Sequence, residues 1–161
     1  MRSLALLLAL LASGPAHALS CIGGDIASAF LSADESPDPW VVIDGRLSFD
    51  AALLPKGTFD EGAEAAGPTE IPARIAGRSL GREGFKQPFD QPVTLRVSCA
   101  GPWCGSATDA ARYVAFLKRT AEGYMAFAGP CGGHLFQAPT EEQKQIVVTC
   151  FNGGPCQPAE F

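Results

Sequence analysis

Six cysteines (Cys21, Cys99, Cys104, Cys131, Cys150 and Cys156), together with Ser79 and His134, are the residues best suited to covalent or metal chemistry. Gly77-Arg78-Ser79-Leu80-Gly81 matches G-x-S-x-G, the turn that exposes a hydrolase serine, and Asp109 and His134 follow in triad order. That turn needs a strand, a sharp bend and then a helix. Here the sequel, Arg82 to Pro88, has no helical face, so Ser79 reads as part of a Gly-rich bend in a strand. Cys99, Cys104, Cys131 and His134 can be drawn as a three-cysteine, one-histidine zinc site. Zinc needs reduced thiolates, and in an exported chain disulfides are the expected state. Trp103-Cys104-Gly105 lacks the second cysteine of a C-x-x-C redox motif. His134 follows two glycines beside Cys131 and reads as a turn residue rather than a base. No phosphate-cradling loop and no periodic pair of carboxylates stands out. The expectation is therefore a protein without a catalytic centre, metal or cofactor.

The compartment follows from the start of the chain. Arg2 gives a positive n-region, Leu4 to Ala12 an apolar h-region, and Ser13 to Ala18 a small-residue c-region, so residues 1–18 read as a signal peptide. Ala16-His17-Ala18 is the preferred cleavage signal, leaving residues 19–161 as a single domain. The h-region is too short for a spanning helix, which needs about 20 apolar residues. Ala18-Leu19-Ser20 is a second small-x-small site that would make Cys21 the new N-terminus, and it loosely matches a lipobox, which would place a lipid anchor on Cys21. A periplasmic or secreted protein is expected. Its formal net charge of −5 argues against a nucleic-acid partner, whose phosphates want a basic face. Arg74, Arg78, Arg82 and Lys86 recur every fourth residue. They read as a solvated face balancing an acidic loop at Asp60, Glu61, Glu64 and Glu70.

Six cysteines in an exported chain imply three disulfides. Cys99 and Cys104 enclose the turn-forming Ala-Gly-Pro-Trp, and Cys150 and Cys156 enclose Phe-Asn-Gly-Gly-Pro. Local pairing of each leaves Cys21 with Cys131, a long loop whose closure stabilises by about 4–5 kcal/mol in the chain-entropy description. A swap of Cys99 or Cys104 onto Cys21 is the rival pairing.

These residues must be positioned by mostly extended structure. Asp25 can cap a short helix to about Ala33, and Ser36-Pro37-Asp38-Pro39 stops it. Trp40 to Phe49 alternates as a strand. Residues 50–70 are Gly-, Ala-, Pro- and acid-rich and read as a loop insertion, the segment expected to move most. Ile71 to Leu80 alternates again, with Pro72 suggesting an edge or a late start. A Gly/Pro-punctuated stretch to Pro92 precedes a third strand, Val93 to Cys99. Tyr113 to Lys118, apolar on both faces and so central, forms a hairpin with Tyr124 to Ala128. Thr140-Glu141-Glu142-Gln143 is a capping box, placing Ile146, Val147, Cys150 and Phe151 on one helical face. A strand through Ile146 to Thr149 is the competing reading. The fold class is all-β: a small, disulfide-stapled, five-stranded OB-like barrel with short N- and C-terminal helices.

In order, the chain offers Cys21, a short helix, Trp40-Val-Val-Ile-Asp-Gly-Arg-Leu and a strand ending in Cys99. Cys104-Gly105, Tyr113-Val-Ala-Phe-Leu-Lys, a Glu122-Gly123-Tyr124 turn and Cys131-Gly132-Gly133 follow. This series resembles the netrin/tissue-inhibitor-of-metalloproteinase-like domain, an OB-fold, from Cys21 to about Cys150. The resemblance implies, for inhibitor members, that the N-terminal cysteine's α-amino group and carbonyl chelate a protease zinc and displace its water. The matching residue is Cys21, with Ile22 aimed at the protease pocket; Gly23 stands where those inhibitors carry a second cysteine. Fold does not carry function. The primary expectation is an exported, non-catalytic binding module with a protein or cell-surface partner. Trp103, inside the Cys99–Cys104 turn, is either packed on the barrel or presented to that partner. The alternatives are a metalloprotease inhibitor acting through Cys21 and, disfavoured, a small serine hydrolase using Ser79.

Overall fold

The computed structural model describes residues 21, 24–58 and 67–159. The expected signal peptide, Ile22, and the acids Asp60, Glu61 and Glu64 lie outside them. Helix α1 runs Ile26–Asp34, because the Asp25 carboxylate accepts from the backbone N–H groups of Ala27 and Ser28 at 2.8 and 3.1 Å. Strands follow at β1 Trp40–Phe49, β2 Thr69–Gly81, β3 Gly84–Val97, β4 Cys99–Ala100, β5 Trp103–Cys104, β6 Arg112–Thr120, β7 Gly123–Ala128 and β8 Leu135–Gln137. Helix α2, Glu141–Phe151, closes the chain on the expected capping box: Thr140 and Gln143 exchange bonds of 3.1 and 3.0 Å. The competing strand through Ile146 does not form. Phe151 departs from the expected helical face: it is 45% exposed, and the inward face is Val147 and Cys150.

The fold is mostly β. Its main sheet has six strands in the order β1-β2-β3-β7-β6-β8, and β6 also pairs with β1. The pairings β1–β2, β2–β3, β3–β7, β7–β6 and β6–β1 therefore return to their starting strand as a closed ring. Only β3–β7 is parallel within it. The Gly/Pro-punctuated stretch before Val93, expected to be irregular, is instead the first part of β3. It pairs with β2 from Gly81↔Gly84 to Thr69↔Val97. Pro88 and Pro92 are tolerated because β7 covers the other edge of β3 only from Val93 onward. Pro72 does not put β2 on an edge: β1 covers Ala73 to Ser79, and Pro72 sits one residue beyond. Strands β4, β5 and β8 are additions to the five expected.

Every ring strand sends residues to one apolar cluster, including Ile43, Leu47, Ile75, Leu95, Tyr113 and Ala126. A second cluster packs α1 and α2 against the opposite side of β1 and β6, through Phe30, Val42, Val114, Phe116 and Val147. Strand β6 is thus apolar on both faces and central, as its sequence requires.

Closure makes β1 bend, since it pairs with β6 over Trp40 to Arg46 and with β2 over Ile43 to Phe49. Gly45 and Gly77 stand opposite one another in that stretch. A Cβ on Gly77 would sit 2.2 Å from the Asp44 carbonyl oxygen, and one on Gly45 2.8 Å from that of Ala76. Beside them Asp44, 6% exposed, accepts from Arg112 Nε and Nη2 at 2.7 and 2.6 Å, and Lys144 Nζ of α2 lies 3.7 Å away. That pairing holds the Arg112 guanidinium above its usual pKa, through the hydrogen bonds first and the charge second.

Three bridges close: Cys21–Cys131, Cys99–Cys104 and Cys150–Cys156. They are the pairs that spacing favoured, and they suit an oxidising compartment. Among the described residues no helix is long and apolar enough to cross a membrane.

Two substitutions test the closure. Gly77→Ala should destabilise by about 3 kcal/mol, whereas Gly81→Ala, whose Cβ would meet nothing nearer than 3.9 Å, should be nearly neutral. Equal urea midpoints for the two would show that the close approach does not matter. Arg112→Leu should cost about 2–3 kcal/mol, because Asp44 keeps its burial and loses its closest cation, and adding Asp44→Leu should recover much of that. A double variant no more stable than Arg112→Leu would refute the argument.

The candidate functional site: an aromatic recess at a strand fork

Strand β6 changes partner halfway along one edge. Lys118, Arg119 and Thr120 pair with β7, whereas Tyr113, Val114 and Ala115 pair with β8. Between the two sets, the Phe116 N–H donates to the His134 carbonyl oxygen at 2.9 Å. Strand β7 meanwhile stays on β3 as far as Ala128. The sheet forks there, and Gly129-Pro130-Cys131-Gly132-Gly133 crosses the fork. Gly132 and Gly133 take φ of +72° and +119°, which other residues rarely adopt. The Cys21–Cys131 bridge ties this crossing to the start of α1.

The fork opens a recess of about 470 Å³ lined by Trp40, Phe127, His134, Arg96, Lys118, Ser98, Pro68, Gly129 and Gly132. Its walls are three rings. Trp40 and His134 stack with centroids 5.0 Å apart and planes 13° from parallel. Phe127 tilts against both, at 5.8 Å from Trp40 and 5.9 Å from His134. Strand pairing explains the meeting: Trp40 stands opposite Lys118, and Phe127 opposite Arg96. Lys118 Nζ lies 2.5 Å from Asp38, while Arg96 Nη1 reaches Glu70 only at 4.0 Å. The Trp40 indole N–H is buried without a hydrogen-bond partner among the described residues. Burial pushes the His134 imidazole below its ordinary pKa. At neutral pH it is therefore an uncharged ring.

The other candidate residues fall elsewhere. Ser79 lies inside β2, its hydroxyl reaching the Gln87 carbonyl oxygen at 3.5 Å, and β2 continues to Gly81 into a hairpin rather than a helix. Asp109 accepts from the Phe49 N–H at 2.9 Å, at one end of β1, while His134 stacks on Trp40 at the other. A ten-residue strand spans about 30 Å, so these two triad members are held apart. Cys99, Cys104 and Cys131 are all in bridges and offer no thiolate to zinc. Of the basic stripe, Arg74 pairs with Asp90 at 2.7 Å and Arg78 donates to the Lys86 carbonyl oxygen, while Asp60, Glu61 and Glu64 of the acidic loop lie outside the described residues. Trp103 is 44% exposed on β5. Cys21 is exposed.

Sequence reasoning missed Trp40 and Phe127, each of which reads as an ordinary strand residue. Phe127 is an aromatic two residues before the Gly/Cys crossing that carries His134, but Trp40 is remote from it in sequence and carried no signal. Compared with protein-family models, curated proteins and solved structures, the chain matches none.

The depressed pKa of His134 makes stability pH-dependent. The unfolded chain takes up this proton first, so the contribution is complete above the ordinary value of 6.5 and is lost as pH falls below it toward the folded value. Protonation would also set a charge beside Lys118 and Arg96, which among the described residues pair with Asp38 and Glu70. Urea midpoints should therefore drop as pH falls below 6.5, and His134→Phe should flatten part of that drop. An unchanged slope in the variant would place the titration elsewhere.

Proposed function

We propose that this chain is an exported, non-catalytic binding module on a small OB-like barrel of the netrin/metalloproteinase-inhibitor-like kind, with the aromatic recess as its ligand seat. The ring order with one parallel pair supports the barrel. Three disulfides support a periplasmic or secreted location, in line with the signal-like pattern of residues 1–18. The observation that carries the binding reading is the meeting of Trp40, His134 and Phe127 within 6.0 Å of one another around an open recess. A concave apolar site with a few polar groups is where ligands bind.

A second reading rests on Cys21, which is exposed and fixed at Cys131. Processing directly before it would present a free α-amino group for zinc chelation by the inhibitor route. Intact mass of the mature protein decides this: a start at Leu19 removes it, an unmodified start at Cys21 supports it, and added lipid mass blocks the amine.

For the primary reading, the protein is recovered from its own host without denaturation and analysed by native mass spectrometry. Wild type should carry a small-molecule adduct, or acquire one from host extract. Trp40→Leu should lose it by tenfold or more at unchanged disulfide count, on the order of what a buried aromatic contact contributes. Trp103→Ala should retain it. Equal retention by Trp40→Leu, or loss only in Trp103→Ala, would move the binding surface to the β4–β5 hairpin.

A further inference from the structure

We infer that the recess takes a flat apolar group bearing a carboxylate, with Arg96 as its anchor; this rests on the reading of the recess as the ligand seat. The chain has a formal net charge of −5, yet the described residues lining the recess include Arg96 and Lys118 and no acid, with Asp38 and Glu70 standing beside them. A cavity lined by one sign of charge with low-dielectric walls concentrates the opposite sign. An anion would find here a guanidinium that Glu70 engages only loosely.

The two cations are not equivalent. Lys118 is held by Asp38 at 2.5 Å, a full ion pair. Arg96 touches Glu70 at 4.0 Å, beyond hydrogen-bond distance, and its side chain is 41% exposed. Its guanidinium keeps the planar fork that matches a carboxylate through two parallel N–H bonds. Arg96 lies on β3 directly across from Phe127. A carboxylate on Arg96 therefore puts the group it is attached to over Phe127 and against the Trp40–His134 stack.

The body of the ligand follows from the walls. Rings favour flat, polarisable partners in offset or edge contact. A volume of about 470 Å³ admits one or two fused rings. Neutral His134 adds apolar surface at pH 7 without competing for the anion. The buried, unpartnered indole N–H of Trp40 is a donor of the kind that native interiors seldom leave unmatched. Two sources offer this chemistry, a free aromatic acid and the C-terminal aromatic residue of a peptide.

The experiment uses Trp103→Phe, which leaves Trp40 as the only tryptophan. Its fluorescence is followed during titration with phenylacetate, phenylacetamide, an acetylated dipeptide ending in phenylalanine, and the amide of that dipeptide. Each acid should bind at least tenfold more tightly than its amide. Arg96→Gln should remove that preference, and Lys118→Gln should change it less than threefold. Tighter binding of the dipeptide than of phenylacetate assigns the ligand to a chain end, and the reverse to a free acid. Amides that bind as well as acids would overturn the anion assignment while leaving the recess a binding site. Failure of all four probes would overturn the ligand class; together with the absence of any host-derived adduct on wild type it would sink the binding reading too. Circular dichroism of each variant keeps misfolding separate from lost affinity.

Discussion

Strand β1 has to hydrogen-bond along both edges while it bends, and the rest of the molecule is arranged around that requirement. Its pairings with β6 and β2 overlap over Ile43 to Arg46, where Gly45 faces Gly77. Backbone approach there is too close for a Cβ. Without that approach the five-strand ring cannot close, and the cluster drawn from all five strands loses its enclosure. Asp44 sits in the same overlap, on the opposite side of the strand from Ile43. Its pairing with Arg112 and Lys144 ties β1, β6 and α2 together at the bend. A buried ion pair of this kind is weak evidence of net stability, since desolvation opposes it. What it does supply is a penalty for arrangements that separate the three elements.

The recess is a by-product of the same closure. Strand β7 must stay on β3 to complete the ring, while β6 runs on past the point where β7 can follow. The free edge of β6 is taken by β8, and the chain between the two has to cross the gap. Glycines at positive φ allow the crossing, and Cys131 pins it through Cys21 to the other end of the described chain. The long loop closed by that bridge is worth about 4–5 kcal/mol on chain entropy alone. Its local effect is to fix one wall of the recess. Fold stability and site geometry thus share a covalent bond.

Much of this architecture was legible in the sequence. Asp25 and the Thr140–Gln143 capping box set both helix starts, and the strict alternation from Trp40 to Phe49 set β1 to the residue. The two-sided apolar run Tyr113 to Leu117 announced a strand with a core on each face. What misled was proline: Pro88 and Pro92 made half of β3 look irregular, because the sequence does not say which strand edge stays uncovered. Asp90 did not read as a partner of Arg74 for a similar reason, as it becomes a neighbour only once β3 is extended. The recess was the least legible part. Its rings come from β1, β7 and the crossing, and only tertiary pairing brings positions 40, 127 and 134 together.

Placement also bears on the Ser79 hydrolase alternative. A hydrolytic triad needs its serine, acid and histidine within hydrogen-bond reach of one another. Here the acid is fixed at the far end of β1 from the histidine, and the serine is fixed in a ladder. The histidine has instead been drawn into an aromatic stack, where burial keeps it uncharged and suppresses its use as an acid. The groups gathered at the fork are three rings, a half-engaged guanidinium, the ion-paired Lys118 and the Ser98 hydroxyl. They meet because β1, β3, β6 and β7 pair around the fork, so the recess takes its lining from the closure of the sheet.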